Sequence, residues 1–291
     1  MPSVRLGALI SLFVVALPAA KADLTVASLS TVTTDLARNI GGDLVKVTPI
    51  IGPGVDPHEF SPAPTDVKRV AHADLVLYSG KGLEGFLTKL EEAAGGPGKF
   101  VNVGASIPSL PLNGAEGHPV EDPHWWHSVE NMKAAVHTVE TAFAQADPTH
   151  AAEYQRNAEA YLSSLKELER WIRVKLAELP RSRRKLVTSH EALQYFARDY
   201  GFTIYPVKGL STGEEPSSRH VREVIELIRK EGVKAVFFEN IENPRTMRQI
   251  SSETGAREGG VLYADSFGDG KVSTYDAMMR HNVTVIVEGL K

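Results

Sequence analysis

Short apolar runs alternate with amphipathic stretches in two parts of the chain, one before residue 147 and one after residue 180. The runs are rich in β-branched or aromatic residues and predict strands at 24–27, 45–51, 75–78 and 100–103, then at 186–188, 203–207, 235–239 and 261–264. Helical patterns lie between many of them, at 33–40, 65–71, 83–93, 192–199, 218–231, 244–254 and 275–288. This alternation predicts an α/β fold with two parallel sheets.

One long helical pattern separates the two parts. Asp147 is a suitable N-cap, Pro148 suits the first helical position, and apolar residues recur at helical spacing until Pro180. A helix of about 30 residues reaches roughly 45 Å, enough to cross a protein of two domains. We therefore predict an N-terminal α/β lobe over 23–146, a rigid linking helix over 147–180 and a C-terminal α/β lobe over 181–291. The Pro- and Gly-rich segment 104–122 is predicted to be a surface loop.

The first 22 residues have the pattern of a secretory signal peptide. Arg5 precedes an apolar stretch over 6–17 that is too short to span a bilayer, and Ala20-Lys21-Ala22 offers a cleavage site. We expect a mature chain that begins near Asp23 and is soluble in the periplasm.

Charge and cysteine content narrow the possible functions. The formal charge is −4, and it becomes −6 once Arg5 and Lys21 are removed with the signal segment, which argues against nucleic-acid binding. The sequence contains no cysteine, so we expect neither disulfides nor a lipid on an N-terminal cysteine. Any metal ion must therefore be bound by His, Asp or Glu.

Four potential metal ligands lie where a predicted strand or loop ends. They are His58, His124, His190 and Asp265. In open α/β sheets, ligands bind outside the carboxyl ends of the strands, so these side chains, two from each lobe, predict a metal ion in the cleft between the lobes. His58 and His124 each follow Asp-Pro, which restricts the local backbone and favours a preorganised imidazole.

The motifs around these residues resemble the zinc- and manganese-binding solute-binding proteins of ABC importers, the ZnuA-TroA-like class. In chain order they are Asp56-Pro57-His58-Glu59-Phe60 with Pro62 and Pro64, Ala73-Asp74-Leu75, Gly80-Lys81-Gly82-Leu83-Glu84, Asp122-Pro123-His124 with Trp126, Thr188-Ser189-His190 with Tyr195-Phe196, Glu215-Pro216-Ser217 and Ala264-Asp265-Ser266. The resemblance implies two α/β lobes on one rigid helix, with His58, His124, His190 and Asp265 as the metal ligands. It also implies a monomer that serves a permease in the inner membrane, with a periplasmic metallochaperone as a further possible partner.

The residue at position 190 bears on which metal is transported. In the resembling family this position is His in some members and Glu in others, and the Glu form goes with manganese. Imidazole suits zinc, and three nitrogens with one carboxylate match a four-coordinate zinc site. The expected cargo is therefore Zn²⁺, with Mn²⁺ as the alternative.

The sequence also departs from the resembling family. His127-Ser128 stands where Leu and then Asp or Asn followed by Pro are frequent, so His127 is either an auxiliary ligand or a substitution at a junction. The segment that is often long and rich in His and acids offers only Glu116, His118, Glu121 and Asp122. Glu59 and Glu191 adjoin candidate ligands and are candidates to orient a metal-bound imidazole.

Three other functions are compatible with parts of this pattern. Three His and a carboxylate could build a hydrolytic zinc site, but the sequence contains no HExxH or Gly-x-Ser-x-Gly motif, and four protein ligands close the coordination that catalysis needs open. A surface adhesin is disfavoured because repeats and an anchoring cysteine are absent. A protein that binds haem or a siderophore needs a broad apolar or basic cleft. The expectation is a transport protein and no enzyme.

We predict that the exported protein begins at Asp23. Ala22→Tyr places a bulky residue at the cleavage site and is expected to leave the signal segment attached, because cleavage requires small residues there. Lys21→Gln is the matched control, since the middle position of Ala-x-Ala is free. The intact mass of protein from the periplasmic fraction checks this, and a wild-type mass that includes residues 1–22 contradicts it.

Overall fold

The computed structural model describes residues 24–113, 119–210, 212–213 and 215–291. The predicted signal segment, Glu116 and His118 lie outside these residues. The predicted boundaries of the lobes stay predictions, whereas the α/β class and the two parallel sheets are confirmed.

The first sheet lies in the first half of the chain, and its strands end toward the second half. Its members are β1 (Leu24–Ser28), β2 (Val45–Pro49), β3 (Leu75–Tyr78) and β4 (Phe100–Asn102), in the order β2-β1-β3-β4 and all parallel. Helices α1 (Thr31–Gly41), α2 (Pro64–Ala71) and α3 (Leu87–Ala93) connect them. Crossover helices of this kind are what parallel strands require.

The second sheet repeats this arrangement. Strands β7 (Lys185–Thr188), β8 (Thr203–Pro206), β9 (Ala235–Glu239) and β10 (Arg257–Leu262) pair in parallel in the order β10-β9-β7-β8. Helices α6 (Gln194–Tyr200), α7 (Ser218–Glu231), α8 (Arg245–Thr254) and α9 (Tyr275–Leu290) alternate with them. The predicted elements of this half are therefore present in their predicted order.

The last strand begins four residues earlier than predicted and ends two residues earlier. Two glycines, Gly259 and Gly260, interrupt its apolar pattern, and Gly260 has a positive φ of 120° at a shift in the strand register. A Cβ at Gly259 would lie 2.6 Å from the ring of Phe237, so the glycine permits close packing. Gly259 and Gly260 therefore allow the strand to pack, but they also interrupt the apolar pattern by which the strand would be predicted.

The described residues of the segment 104–122, which was predicted to be a surface loop, include two short strands. Strands β5 (Pro111–Asn113) and β6 (Pro119–Glu121) form an antiparallel pair within it. A further helix, α4 (Val129–Ala146), is absent from the predicted elements although its buried residues recur at helical spacing.

Helix α5 (Ala151–Leu176) is the long helix that the pattern predicts. Its 26 residues extend about 39 Å, and one face is buried along its whole length: Tyr154, Ala158, Tyr161, Leu165, Leu168, Ile172 and Leu176. It packs against α1 and α4 of the first half of the chain and against α9 of the second. Asp147 does not cap it as predicted; its carboxylate instead accepts hydrogen bonds from Tyr154 and His150.

One continuous hydrophobic core therefore joins both halves. It includes Leu36 of α1, Val136 of α4, Leu168 of α5 and Ile286 of α9, all of which are buried. Smaller apolar clusters cover the outer face of each sheet. Among the described residues, no helix is long and apolar enough to cross a membrane.

The turn after β3 is fixed by a buried carboxylate. Glu84 accepts hydrogen bonds from the backbone N–H groups of Ser79 and Gly80, at 2.6 and 3.1 Å, and burial raises its pKa to about 7. Gly80 has a φ of 82°, and a Cβ there would meet the side chain of Asn102 at 2.1 Å. The Gly-Lys-Gly-Leu-Glu motif therefore builds a tight turn at the carboxyl edge of the first sheet.

Candidate metal centre

The four residues singled out in the sequence lie together between the two sheets. Their potential ligand atoms, three imidazole nitrogens and a carboxylate oxygen, are all within 4.8 Å of one another. Each comes from a backbone position just beyond a strand or loop end: His58 in the loop after β2, His190 directly after β7, Asp265 after β10, and His124 before a short 3₁₀ turn. The carboxyl edges of the two sheets therefore face each other across this cluster.

The separations between these atoms are close to those that a tetrahedral metal ion imposes. The Nε2 atom of His124 lies 3.2 Å from that of His58 and 3.4 Å from that of His190. The carboxylate of Asp265 is 3.1, 3.3 and 3.7 Å from Nε2 of His190, His124 and His58, respectively. Ligands about 2.0–2.1 Å from a tetrahedral zinc ion stand roughly 3.3 Å apart, so the cluster is already near that geometry.

The nitrogens that point away from the cluster are bonded to carboxylates. Nδ1 of His124 lies 2.8 Å from Oδ1 of Asp122, and Nδ1 of His190 is hydrogen-bonded to Oε2 of Glu239. Both carboxylates also accept the backbone N–H of the histidine that they hold, at 2.9 and 3.1 Å. A proton held on Nδ1 leaves the Nε2 lone pair free to face a metal ion.

This arrangement differs from the prediction that Glu59 and Glu191 orient the imidazoles. Glu191 accepts a hydrogen bond from Gln194, and the carboxylate of Glu59 lies against Gly213. Adjacent residues point in different directions, whereas Glu239 is level with His190 because Val187 of β7 pairs with Val236 of β9. A carboxylate as the last residue of a wholly buried strand is the sequence signal that could have identified Glu239.

Sequence comparison relates this chain to a family of metal-uptake proteins. The model of the ZnuA family, described as the periplasmic component A of a zinc-uptake complex, matches residues 26–289. The manganese-binding lipoprotein MntA of Bacillus subtilis is 38% identical over 266 residues, which cover 88% of this chain and 86% of that protein. The iron-binding protein YfeA of Yersinia pestis is 35% identical, over 89% of this chain and 84% of that protein.

Comparison with solved structures also finds a metal-binding protein. The periplasmic zinc-binding protein TroA from Treponema pallidum superposes with a TM-score of 0.87 at 30% identity, covering 92% of this chain and 99% of that one. The chain belongs to the ZnuA family. It is a metal-binding, substrate-binding protein of an ABC importer, as the resemblance implies, and this family consists of transport proteins, so it is not an enzyme.

Members of the ZnuA family serve a membrane permease and its ATPase, so the bound metal ion is cargo. The relatives' names cite manganese, iron and zinc, and the comparisons therefore support metal binding without selecting the ion.

Charge in the ZnuA-family site is strongly unbalanced. Three carboxylates, Asp122, Glu239 and Asp265, are buried around the imidazoles. Neither oxygen of Asp265 accepts a hydrogen bond from the residues that the structure describes. Buried, uncompensated negative charge is costly, so the cluster favours a cation at its centre.

The pKa values of His58 and His190 are shifted in opposite directions. Burial lowers the pKa of His58 to about 4, although the charge of Asp265 acts in the opposite direction. Burial also lowers the pKa of His190, but the carboxylates of Glu239 and Asp265 outweigh it and raise this pKa well above its ordinary value. For Asp265, burial raises the pKa, and the neighbouring His190 and His124 nevertheless hold it below its usual range.

His127 is fully buried beside the cluster and is not one of its converging groups. Burial lowers its pKa to about 3, and its ring packs against Trp126. Its Nε2 has no hydrogen-bond partner among the described residues. This placement favours the interpretation of His127 as a residue of the junction before α4.

We expect Glu239→Gln to weaken metal binding about 10- to 100-fold, the usual effect of removing a carboxylate that orients a metal-bound imidazole. The substitution keeps the shape of the side chain but removes the charge that holds the proton on Nδ1 of His190. Glu191→Gln is the matched control and is expected to change affinity little. Competition with a chromophoric zinc chelator measures both, and the assignment is wrong if Glu191→Gln has the larger effect.

Proposed function

We propose that this chain captures Zn²⁺ in the periplasm through His58, His124, His190 and Asp265 and delivers it to the permease of an ABC importer. The observation that carries the proposal is the set of separations between three imidazole nitrogens and one carboxylate, 3.1 to 3.7 Å. These values lie close to the roughly 3.3 Å that separates the ligand atoms of a four-coordinate zinc ion.

The donor chemistry supports zinc as the cargo. Imidazole nitrogen is intermediate between hard and soft donors and therefore suits zinc. Manganese favours carboxylate and water oxygens and a higher coordination number. Four protein ligands leave no open position for a reacting water, which suits binding and release of the ion rather than hydrolysis.

Manganese is the second candidate, and a specific observation favours it. MntA of Bacillus subtilis, named as manganese-binding, is 38% identical to this chain. The usual order of affinities nevertheless places zinc above manganese at most sites of this composition, so selection of manganese in the cell would need to come from metal supply or from the permease.

The proposed location follows from the signal-like N-terminus and from the family description, which specifies a periplasmic component. Several relatives are named lipoproteins, whereas this sequence contains no cysteine to carry such a lipid. We propose a soluble, monomeric carrier that meets the permease by diffusion, with loading from a metallochaperone as a further possibility. No role for nucleic acid is proposed, given the acidic mature chain.

The metal-free protein is expected to bind one Zn²⁺ per chain and to melt at a higher temperature when loaded. A ligand that binds only the folded state adds about 4 kcal/mol to the free energy of unfolding at a thousandfold excess over Kd. Calorimetry and elemental analysis after gel filtration measure the two quantities. Asp265→Asn is expected to lose most of the increase, and a wild-type melting temperature unmoved by zinc, manganese and iron would reject the proposed function.

Replacing His190 tests the choice of metal. The wild type is expected to prefer Zn²⁺ strongly over Mn²⁺, and His190→Glu should narrow the preference because a carboxylate is a harder donor. The protein is equilibrated with Zn²⁺ and Mn²⁺ together, both at buffered free concentrations, and the bound metal is measured by mass spectrometry. His137→Glu on the exposed surface is the control for added charge. A wild-type preference for manganese, or an unchanged preference in His190→Glu, contradicts the zinc assignment.

A further inference from the structure

His58 is the candidate ligand that reaches the surface. Its side chain is 9% exposed, while the side chains of His124, His190 and Asp265 are fully buried. It lines two adjoining surface clefts with volumes of about 420 and 530 Å³. The cluster is therefore closest to solvent at His58 and at the loop that carries this residue.

Few bonds fix the His58 loop. Residues 50–63 form neither helix nor strand. Oδ1 of Asp56 accepts the backbone N–H of His58 at 2.8 Å, which sets the direction of the imidazole. The other oxygen of Asp56 accepts a hydrogen bond from the hydroxyl of Thr212, which belongs to the second half of the chain. The backbone N–H of Gly54, four residues before His58, also bonds to the second half, to Oγ of Ser266 at 2.9 Å. Asp56 therefore shapes the loop beside His58 and, among the described residues, forms one of its two hydrogen-bonded links across the cleft.

The backbone of Thr212 is fixed by the side chain of Lys208. Nζ of Lys208 donates to the carbonyl oxygen of Thr212 at 2.9 Å and to the carboxylate of Glu242 at 2.8 Å. The Lys208 and Glu242 side chains are largely buried. The backbone N–H of Lys208 also donates to Ser189, the residue before His190, at 2.9 Å. Thr212 is therefore anchored to the same strand end that carries a buried candidate ligand.

The neighbouring residue makes a second contact across the cleft. The carboxylate of Glu59 lies so close to Gly213 that a Cβ there would stand 2.3 Å from one of its oxygens. Consecutive residues of one loop, Thr212 and Gly213, thus contact Asp56, two residues before His58, and Glu59, the residue after it. We call the Thr212–Asp56 hydrogen bond, with Lys208 behind it, the latch.

The opposite side of the cluster is held by buried bonds. Trp126 donates from its ring nitrogen to the carbonyl of Ala264 at 2.8 Å, and Tyr275 donates to the carbonyl of Trp126 at 2.8 Å. These bonds fix the backbone beside His124 and Asp265. Separation of the two halves at this edge would break a packed core, whereas separation at the latch breaks few contacts.

We propose that the latch holds His58 against the bound metal ion and thereby sets the rate of metal release, an inference that rests on the proposed function. Loss of the Thr212 hydroxyl removes the link to the second half that lies nearest to His58, while the Gly54–Ser266 bond and the other three ligands stay in place. Release becomes faster, whereas association, which begins with the loop open, changes little. Differences in affinity of this kind reside mainly in the dissociation rate.

Thr212→Val removes the hydroxyl at nearly constant volume and tests the latch. Release of Zn²⁺ into excess chelator is followed by stopped flow and is expected to be about tenfold faster, as for loss of a hydrogen bond to a charged group. Thr212→Ser restores the hydroxyl and is expected to restore the rate. Thr203→Val, an exposed threonine of β8, is the matched control. The association rate and the melting temperature of the metal-free protein should stay at their wild-type values.

Each outcome decides between the two proposals. If the wild type binds no zinc, the proposed function fails and the latch fails with it. If the wild type binds one zinc and Thr212→Val releases it at the wild-type rate, the latch is overturned while the proposed function stands. A faster release that Thr212→Ser does not restore, or that accompanies a lower melting temperature of the metal-free chain, also overturns it. Thr212→Ala serves the same comparison if the valine variant does not fold.

Discussion

Electrostatic imbalance at the centre of the molecule is the constraint on which the other features depend. Three carboxylates are buried together with the imidazoles of His124 and His190, while His58 completes the cluster at the surface, and the arrangement suits a small cation between the Nε2 atoms and Asp265. The protein makes this possible by holding the outward nitrogens of His124 and His190 with Asp122 and Glu239. The site is therefore preorganised by hydrogen bonds that the metal itself does not make.

Much of the fold is visible in the sequence because its elements are local. The apolar runs that form β1, β3 and β9 are short, β-branched and bounded by turns, so the alternation of strand and helix identifies the α/β class. The four candidate ligands are also recognisable, since each follows a strand or an Asp-Pro step and parallel strands present their carboxyl ends at one edge.

The features that escaped prediction depend on strand register and on packing between distant segments. Glu239 is 49 residues from His190, and they meet because β7 and β9 are paired with Val187 beside Val236. The short-range alternatives, Glu59 and Glu191, are adjacent in sequence but point away. The Thr212–Asp56 contact joins residues 156 positions apart and has no local signature. In β10, Gly259 packs against Phe237 and Gly260 against Val285, and these two glycines interrupt the apolar pattern that would predict the strand.

The shared core along α5 has a consequence for the stability of both halves of the chain. Helix α9, the last described element, buries Met278, Val283 and Ile286 in the same cluster as residues of α1 near the start of the first sheet. Both halves therefore depend on this helix for part of their hydrophobic interior, so loss of α9 is expected to destabilise the first half of the chain as well as the second.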